Sequence, residues 1–197
     1  MNKKLIVFVV LILLLIAGGV FWWWQDGKKV AKEIEEVEGK PSVAETIMVP
    51  GKVIPPSGVN PESLTITGLA TTAKIDKEGN FTTGRIYKEG VTILGAMPEG
   101  KEFGLMKVVI ASEGKPETPV VIDSKSTAVG LVFTSFFLTT DLEKAREFLN
   151  VIEKDPEVEE FAKVIEQIFT EEDPMSNPLY EKALEEAIES VLSTLNP

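Results

Sequence analysis

Residues 126–138, STAVGLVFTSFFL, mark the point at which the sequence changes from a β-type to a helical pattern. Residues 46–123 contain short β-type runs, whereas after Asp123 apolar residues recur at the spacing of an α-helix. The segment carries no charge and is apolar around nearly its whole circumference, which is typical of a helix at the centre of a domain. It is shorter than the ~20 apolar residues that a membrane span requires. We therefore expect a central, buried helix over residues 126–138.

Three further helices are predicted between this segment and the C-terminus. Residues 140–143, TDLE, have the pattern of a capping box. The pairs Asp155-Pro156 and Asn177-Pro178 each place a preferred N-cap residue before a proline at the first helical position. The expected buried residues of the last helix are Leu179, Ala183, Leu184, Ala187, Ile188, Val191 and Leu195.

Residues 46–123 consist of short β-type runs separated by Gly, Pro and Asn. In residues 63–67, SLTIT, Leu64 and Ile66 alternate with hydroxyl residues, which predicts a strand with one buried face. Short strands at such close intervals are typical of a β-sandwich, and we expect a small antiparallel one. The predicted strands are residues 47–54, 63–67, 72–75, 81–83, 91–97, 105–111 and 119–122.

Three motifs in this region resemble those of the carboxypeptidase-regulatory-like, transthyretin-like sandwich domains. They are residues 51–53, GKV, residues 61–66, PESLTI, and residues 76–81, DKEGNF. In that family a G-x-V strand leads through a variable loop to a second strand and then to a D-x-x-G-x-F hairpin. The resemblance covers roughly residues 46–111 and implies a non-catalytic spacer or binding sandwich. Resemblance in fold does not identify a ligand.

Residues 5–24, LIVFVVLILLLIAGGVFWWW, contain no charged side chain. At ~1.5 Å per residue they would form a helix ~30 Å long, which matches the hydrocarbon core of a bilayer. Tryptophan favours the boundary between lipid tails and headgroups, and the stretch closes with Trp22, Trp23 and Trp24. We therefore expect a membrane anchor from Leu5 to Trp24 that contacts lipid.

A cleaved secretory signal is the alternative interpretation of the same stretch. Lys3 and Lys4 form a basic start, and residues 17–19, AGG, offer small residues to a peptidase. The length of the apolar run favours an uncleaved anchor instead. Long C-terminal domains are translocated largely regardless of their charge. The expected location is therefore the cell membrane, with a single span and the C-terminal body outside the cytoplasm.

These patterns together predict an α+β fold class with an N-terminal transmembrane helix, a small antiparallel β-sandwich and a C-terminal bundle of about four helices. The segment between anchor and sandwich contains alternating charged and apolar residues that end at Gly39 and Pro41, and it is expected to be a stalk. The expected domains are an anchor at 1–24, a stalk at 25–45, a sandwich at 46–123 and a helical domain at 124–197.

The composition excludes several classes of function. The 197 residues include 20 Lys and Arg against 31 Asp and Glu, a net charge of −11, which disfavours binding to nucleic acid. The chain contains no Cys and no His. It therefore lacks thiolate metal ligands, Ser-His and Cys-His nucleophile pairs, and the usual general base near neutral pH. We expect no catalytic, cofactor-binding or metal-binding residues.

Three short motifs have to be compared with known functional sequence patterns. Residues 95–101, GAMPEGK, have the spacing of a phosphate-binding loop, but Glu102 occupies the position of the Ser or Thr that binds magnesium. The acids at 171–173, EED, lack the spacing of a calcium loop. Residues 80–82, NFT, form a sequon, which makes Asn80 a candidate glycosylation acceptor on an exposed hairpin.

Three functions remain open at this point. The first, which we favour, is a membrane-anchored, non-catalytic binding or scaffold module of a microbial cell envelope, with a protein partner there. The second is an accessory subunit that clamps a larger envelope complex through its helical domain, and a large exposed apolar patch on the helices would favour it. The third is a carboxylate-dependent hydrolase, which needs two acids ~5 to 9.5 Å apart in a cleft. The sequence does not determine the oligomeric state.

Overall fold

The computed structural model of the chain describes residues 45–69, 71–136 and 141–195, which belong to one compact unit. Two short 3-10 turns, Pro61–Ser63 and Pro174–Ser176, accompany the strands and helices. The strands are β1 (Thr46–Val53), β2 (Leu64–Gly68), β3 (Thr71–Lys74), β4 (Asn80–Tyr87), β5 (Gly90–Pro98), β6 (Leu105–Ser112), β7 (Lys115–Pro116) and β8 (Val121–Ile122). The helices are α1 (Ser124–Ser135), α2 (Leu142–Ile152), α3 (Pro156–Ile168) and α4 (Pro178–Leu195).

The strands form two sheets that pack face to face. The first has the order β4-β1-β8, and the second has the order β3-β2-β5-β6-β7 with antiparallel neighbours throughout. Leu94 of β5 is fully buried and lies against Gly84 of β4, where an added Cβ would come within 3.2 Å of Leu94 Cδ1. This contact places the apolar face of the second sheet against the first, as in a sandwich.

The helices cover the opposite face of the second sheet. Met106 of β6 pairs with Gly95, so its side chain projects away from the face that carries Leu94. An added Cβ at Gly130 of α1 would lie 3.0 Å from the Met106 side chain, which shows how closely the helix approaches β6. Strand β6 is thus buried on both faces, which explains its uninterrupted apolar run at residues 108–111.

The first turn of α1 also satisfies backbone groups at the free edge of β6. Asp123 and Ser126 form a reciprocal capping box at the helix start. The Ser126 hydroxyl donates to the Met106 carbonyl oxygen at 2.8 Å, and the Met106 N–H donates to Thr127 Oγ1 at 2.9 Å. Helix α1 contacts β6, β8 and the three other helices, which fits the central position expected for it.

The other helix starts depend on local caps. Asp155 accepts a hydrogen bond from the Glu157 N–H, and Asn177 accepts one from the Leu179 N–H, as the Asp-Pro and Asn-Pro pairs predict. At α2 the N-cap is Asp141, which accepts from two backbone N–H groups of the first turn. The predicted capping box included Thr140, which lies outside the described residues.

The predicted fold class needs correction. Among residues 45–69, 71–136 and 141–195, no helix is both long enough and apolar enough to cross a membrane. The transmembrane helix in the predicted class is therefore wrong for the described chain, which is α+β with four helices packed on two sheets. Leu5, Trp22, Trp23 and Trp24 lie outside the described residues.

The predicted antiparallel sandwich is also inaccurate at one edge. Strand β8 runs parallel to β1, and the Lys52 N–H donates to the Val120 carbonyl at 2.9 Å. A run as short as residues 119–122 contains no information about the direction of its partner, so the sequence could not specify this pairing. Strand β4 extends to Tyr87, and β7 follows a two-residue turn at Glu113 and Gly114 in which both residues have positive φ.

Candidate functional site

A shallow groove runs along the exposed side of α4 and ends at the 3-10 turn that precedes this helix. Its floor is apolar, whereas one rim is acidic. The floor consists of Met175, Tyr180, Leu184 and Ile188, and the rim consists of Glu181, Glu185 and Glu189. We call this surface the α4 groove.

Helix α4 carries more apolar surface than its packing uses. Ala183, Ala187 and Val191 are buried and belong to the face that packs into the core. Leu184 and Ile188 lie beside that face and are half-buried, and the next residue of the same row, Leu192, is 42% exposed. A surface helix normally needs a single apolar stripe. The second row, at i, i+4 and i+8, is therefore packed against the core only in part and becomes exposed at Leu192.

Tyr180 forms a rigid end of the groove. Its ring lies 5.5 Å from the ring of Phe161 and 5.9 Å from the ring of Phe103, both in edge-on arrangements. The residue is only 9% exposed, yet its hydroxyl makes no hydrogen bond to any residue within the described ranges. Within the described residues, every polar side-chain atom that solvent cannot reach has a hydrogen-bonding partner. The Tyr180 hydroxyl has none, so it must be accessible to solvent.

Burial also affects the ionisation of this group. Desolvation raises the pKa of the Tyr180 phenol above its ordinary value, and a phenol is protonated at neutral pH even without this shift. A buried tyrosine hydroxyl normally has a hydrogen-bonding partner. The groove thus presents to solvent, and to whatever occupies it, a hydroxyl whose ring is held by aromatic contacts.

The acidic rim is electrostatically unbalanced. Glu181, Glu185 and Glu189 are exposed, and none of them forms an ion pair with a residue that the structure describes. Like charges at i and i+4 destabilise a helix by ~0.2 to 0.5 kcal/mol per pair. Each rim residue also lies three positions before a residue of the exposed apolar row, so charge and apolar surface are adjacent.

The acids at 171–173 have a structural role. They border a cleft between the β5–β6 loop and the α3–α4 connection. Both Glu171 carboxylate oxygens accept from Asn177 Nδ2, at 3.0 and 2.9 Å, and Asp173 accepts from the Ser176 hydroxyl at 2.5 Å. Across the cleft, Lys101 Nζ donates to backbone carbonyls at 171 and 172. In the described part of the chain, no group of acids has the arrangement of a metal site.

A second charged cluster joins the end of β7 to α2. Arg146 Nε donates to both carboxylate oxygens of Glu117, at 3.2 and 3.0 Å, and the same guanidinium pairs with Glu143. Hydrogen bonding from Arg146 lowers the pKa of Glu117 below its ordinary value, with a smaller contribution from Ser112. A carboxyl held in its ionised form cannot serve as a general acid near neutral pH.

Asn80, the candidate glycosylation acceptor, lies at the exposed start of β4. Its amide donates to both carboxylate oxygens of Asp76, at 3.2 and 3.1 Å, and these bonds are the largest cause of a lowered Asp76 pKa. The next residue of the sequon, Phe81, is buried. The structure thus gives Asn80 a role in the hairpin turn, and its glycosylation stays a prediction.

Sequence reasoning did not identify the α4 groove. It assigned Leu179, Leu184 and Ile188 to the buried face, but Leu179 is 53% exposed and the other two are half-buried. The available signal was the width of the apolar pattern, which includes Leu192 in a second row beside the core-facing one.

Comparison of the chain with protein-family models, with curated proteins and with solved structures finds no match. The resemblance of residues 46–111 to transthyretin-like domains therefore stays a prediction.

Proposed function

We propose that this protein is a non-catalytic binding module that holds a protein partner in the α4 groove. The observation that carries the proposal is the partly exposed apolar row of α4 beside the Tyr180 hydroxyl, whose ring is held by aromatic contacts. Grooves of this kind bind a partner helix through apolar side chains spaced by one helical turn. The acidic rim limits which partners fit.

The state of the carboxyl groups supports a role without catalysis. A carboxylate-dependent hydrolase keeps one acid protonated by raising its pKa. In contrast, hydrogen bonds to Lys, Asn or Arg side chains lower the pKa of several surface acids. These are Glu45, Asp76, Glu117 and Glu159. They are suited to structural charge pairing.

This proposal places the binding surface on the helical part and not on the sandwich. Among the functions that the sequence left open, it is closest to an accessory subunit that clamps a larger complex. A location in a microbial envelope stays a prediction, because the α4 groove bears only on binding.

The proposal is tested by two substitutions on the same helix. Leu192→Glu adds a charge at the exposed end of the Leu184–Ile188 row, one turn beyond the groove floor, whereas Leu179→Glu adds the same charge at a 53% exposed site roughly 140° around the helix. Each immobilised protein is incubated with an extract of the cells that produce it, and retained proteins are quantified by mass spectrometry. We expect Leu192→Glu to reduce retention of the partner at least ~10-fold, or ~1.4 kcal/mol. Equal retention by both variants would contradict the proposal.

A further inference from the structure

We infer that the occupant of the α4 groove is a basic amphipathic helix. This inference rests on the proposed function and specifies the chemistry of its partner. Such a helix carries apolar residues on one side and Lys or Arg along the border of that side. Three properties of the groove support it: the charge of the rim, the spacing of the floor and the polar group at one end.

The charge of the rim selects against most other occupants. Glu181, Glu185 and Glu189 form one row of like charge without a cation from the described residues. Lys182, the nearest basic residue along the helix, pairs with Glu186 at 3.5 Å. A partner helix with cations along its border would relieve the repulsion within the row. It would also gain electrostatic attraction in a surface partly shielded from water.

The same charge disfavours a second copy of the chain. Two α4 grooves packed together would bring both glutamate rows close to each other, and each chain has a net charge of −11. Like charges that face each other across an interface are strongly unfavourable. An anionic membrane surface is disfavoured for the same reason.

The apolar residues of the floor are spaced by about one helical turn. Tyr180, Leu184 and Ile188 follow one another at a rise of ~6 Å, which equals the rise between apolar anchors at i and i+4 of a partner helix, and Leu192 continues the same row one turn beyond the groove. Helix α4 has 18 residues, a length of ~27 Å. Four to five turns of a partner could therefore lie along it, with cations opposite the three glutamates.

The Tyr180 end of the groove favours one orientation of the partner helix. The Tyr180 hydroxyl can donate to a polar side chain or a free carbonyl of the partner, and the aromatic contacts of the ring fix its position. Met175, 44% exposed, lies at the same end, and a flexible thioether adapts to different apolar side chains. A partner carbonyl near its helix C-terminus would satisfy the hydroxyl.

The experiment uses the full chain and three synthetic 18-residue peptides. The first carries Leu at i, i+3, i+4 and i+7 with Lys along the border, the second replaces every Lys by Glu, and the third is a scrambled form of the first. Dissociation constants are measured by calorimetry at ~0.15 M salt, where the Debye length is ~8 Å. We expect the amphipathic Lys peptide to bind at least ~10-fold more tightly than either of the others. Equal binding of the amphipathic and scrambled Lys peptides would overturn the inference, as would no binding.

Charge reversal on the protein tests the role of the acidic rim, and a second triple variant is the matched control. The triple variant Glu181→Lys, Glu185→Lys, Glu189→Lys should invert the preference, so that the Glu peptide binds more tightly than the Lys peptide. The control variant changes three exposed, unpaired acids of the sandwich by the same total charge, and it should keep the wild-type preference. Its substitutions are Glu62→Lys, Glu78→Lys and Glu99→Lys. Inversion of the preference by both variants would show general charge attraction and overturn the inference.

The polar end is tested separately by Tyr180→Phe. This variant should weaken binding of the Lys peptide a few-fold without changing the melting temperature, because only the hydroxyl is removed. Failure of the inference and failure of the proposed function are distinguishable. If Leu192→Glu loses the cellular partner but the Lys peptide shows no preference, only the inference fails. If Leu192→Glu retains the cellular partner, the proposed function fails.

Discussion

At the scale of single residues, two glycines with positive φ have different surroundings. Gly79 has φ 86° and its position for a Cβ lies 2.2 Å from the Val53 carbonyl oxygen. The Val53 N–H donates to the Gly79 carbonyl at 2.7 Å, so the hairpin turn lies directly against β1. Gly100 has φ 70° and nothing within 4 Å of its Cβ position. Both glycines have a left-handed backbone, but only Gly79 is in close contact with another strand. Comparing substitutions at the two positions therefore separates the cost of the backbone conformation from the cost of the close contact.

We predict that Gly79→Ala destabilises the protein much more than Gly100→Ala. The change at Gly100 introduces only a left-handed conformation with a Cβ, which costs ~1 kcal/mol. The change at Gly79 adds a backbone clash that must move Val53 and stretch its hydrogen bond, for a total of ~3 kcal/mol or more. Urea denaturation of both variants measures the difference. Similar losses of stability would contradict the close contact at Gly79.

At the scale of elements, the Glu117–Arg146 pair fastens the edge of the second sheet to α2. The side chains are 27% and 34% exposed, so solvent screens the pair only in part. The Glu117 N–H donates to the Ile110 carbonyl at 3.0 Å, so the carboxylate is held at a fixed point of the β6 edge. The folded pKa of Glu117 lies below its unfolded value. This stabilisation is present above the unfolded pKa of ~4.3 and is lost as the pH falls through the folded pKa.

We therefore predict that Glu117→Gln lowers stability at pH 7 and has a smaller effect at pH 3. The expected loss at pH 7 is less than ~1 kcal/mol, the usual range for partly exposed pairs. Glu143→Gln serves as control, because Glu143 pairs with the same guanidinium but its side chain is 81% exposed. Thermal unfolding followed by circular dichroism across pH 3 to 7 measures both. A loss for Glu117→Gln that grows as the pH falls would contradict this assignment.

The sequence predicts the elements well where the deciding physics is local. Asp155-Pro156 and Asn177-Pro178 locate two helix starts because capping involves residues only a few positions apart. The parallel pairing of β8 with β1 joins distant segments, and no local signal encodes it. The α4 groove was missed for the same reason. Which of two adjacent apolar rows faces the core depends on where α1 and α3 lie, and the helix pattern contains only the rows themselves.

At the scale of the described unit, α1 connects the sandwich to the other helices. Val132 is 0% exposed, and α1 contacts β6 on one side and α3 on another. The buried side chains of both sheets and all four helices belong to one apolar cluster. A core shared in this way favours a single cooperative transition, because neither part can keep its buried face when the other unfolds.

We predict that Val132→Asp destabilises sandwich and helices together. A charge in this position has no partner and little access to water, so the expected loss is several kcal/mol. Ser135→Asp, at an exposed site of the same helix, should change stability by less than ~1 kcal/mol. Hydrogen exchange of backbone amides in β5 and in α3 follows the two parts separately. Val132→Asp should accelerate exchange by the same factor in both, because both exchange through global unfolding. Acceleration confined to α3 would show that the sandwich is stable without the helices, and α1 would then belong to a separate cooperative unit.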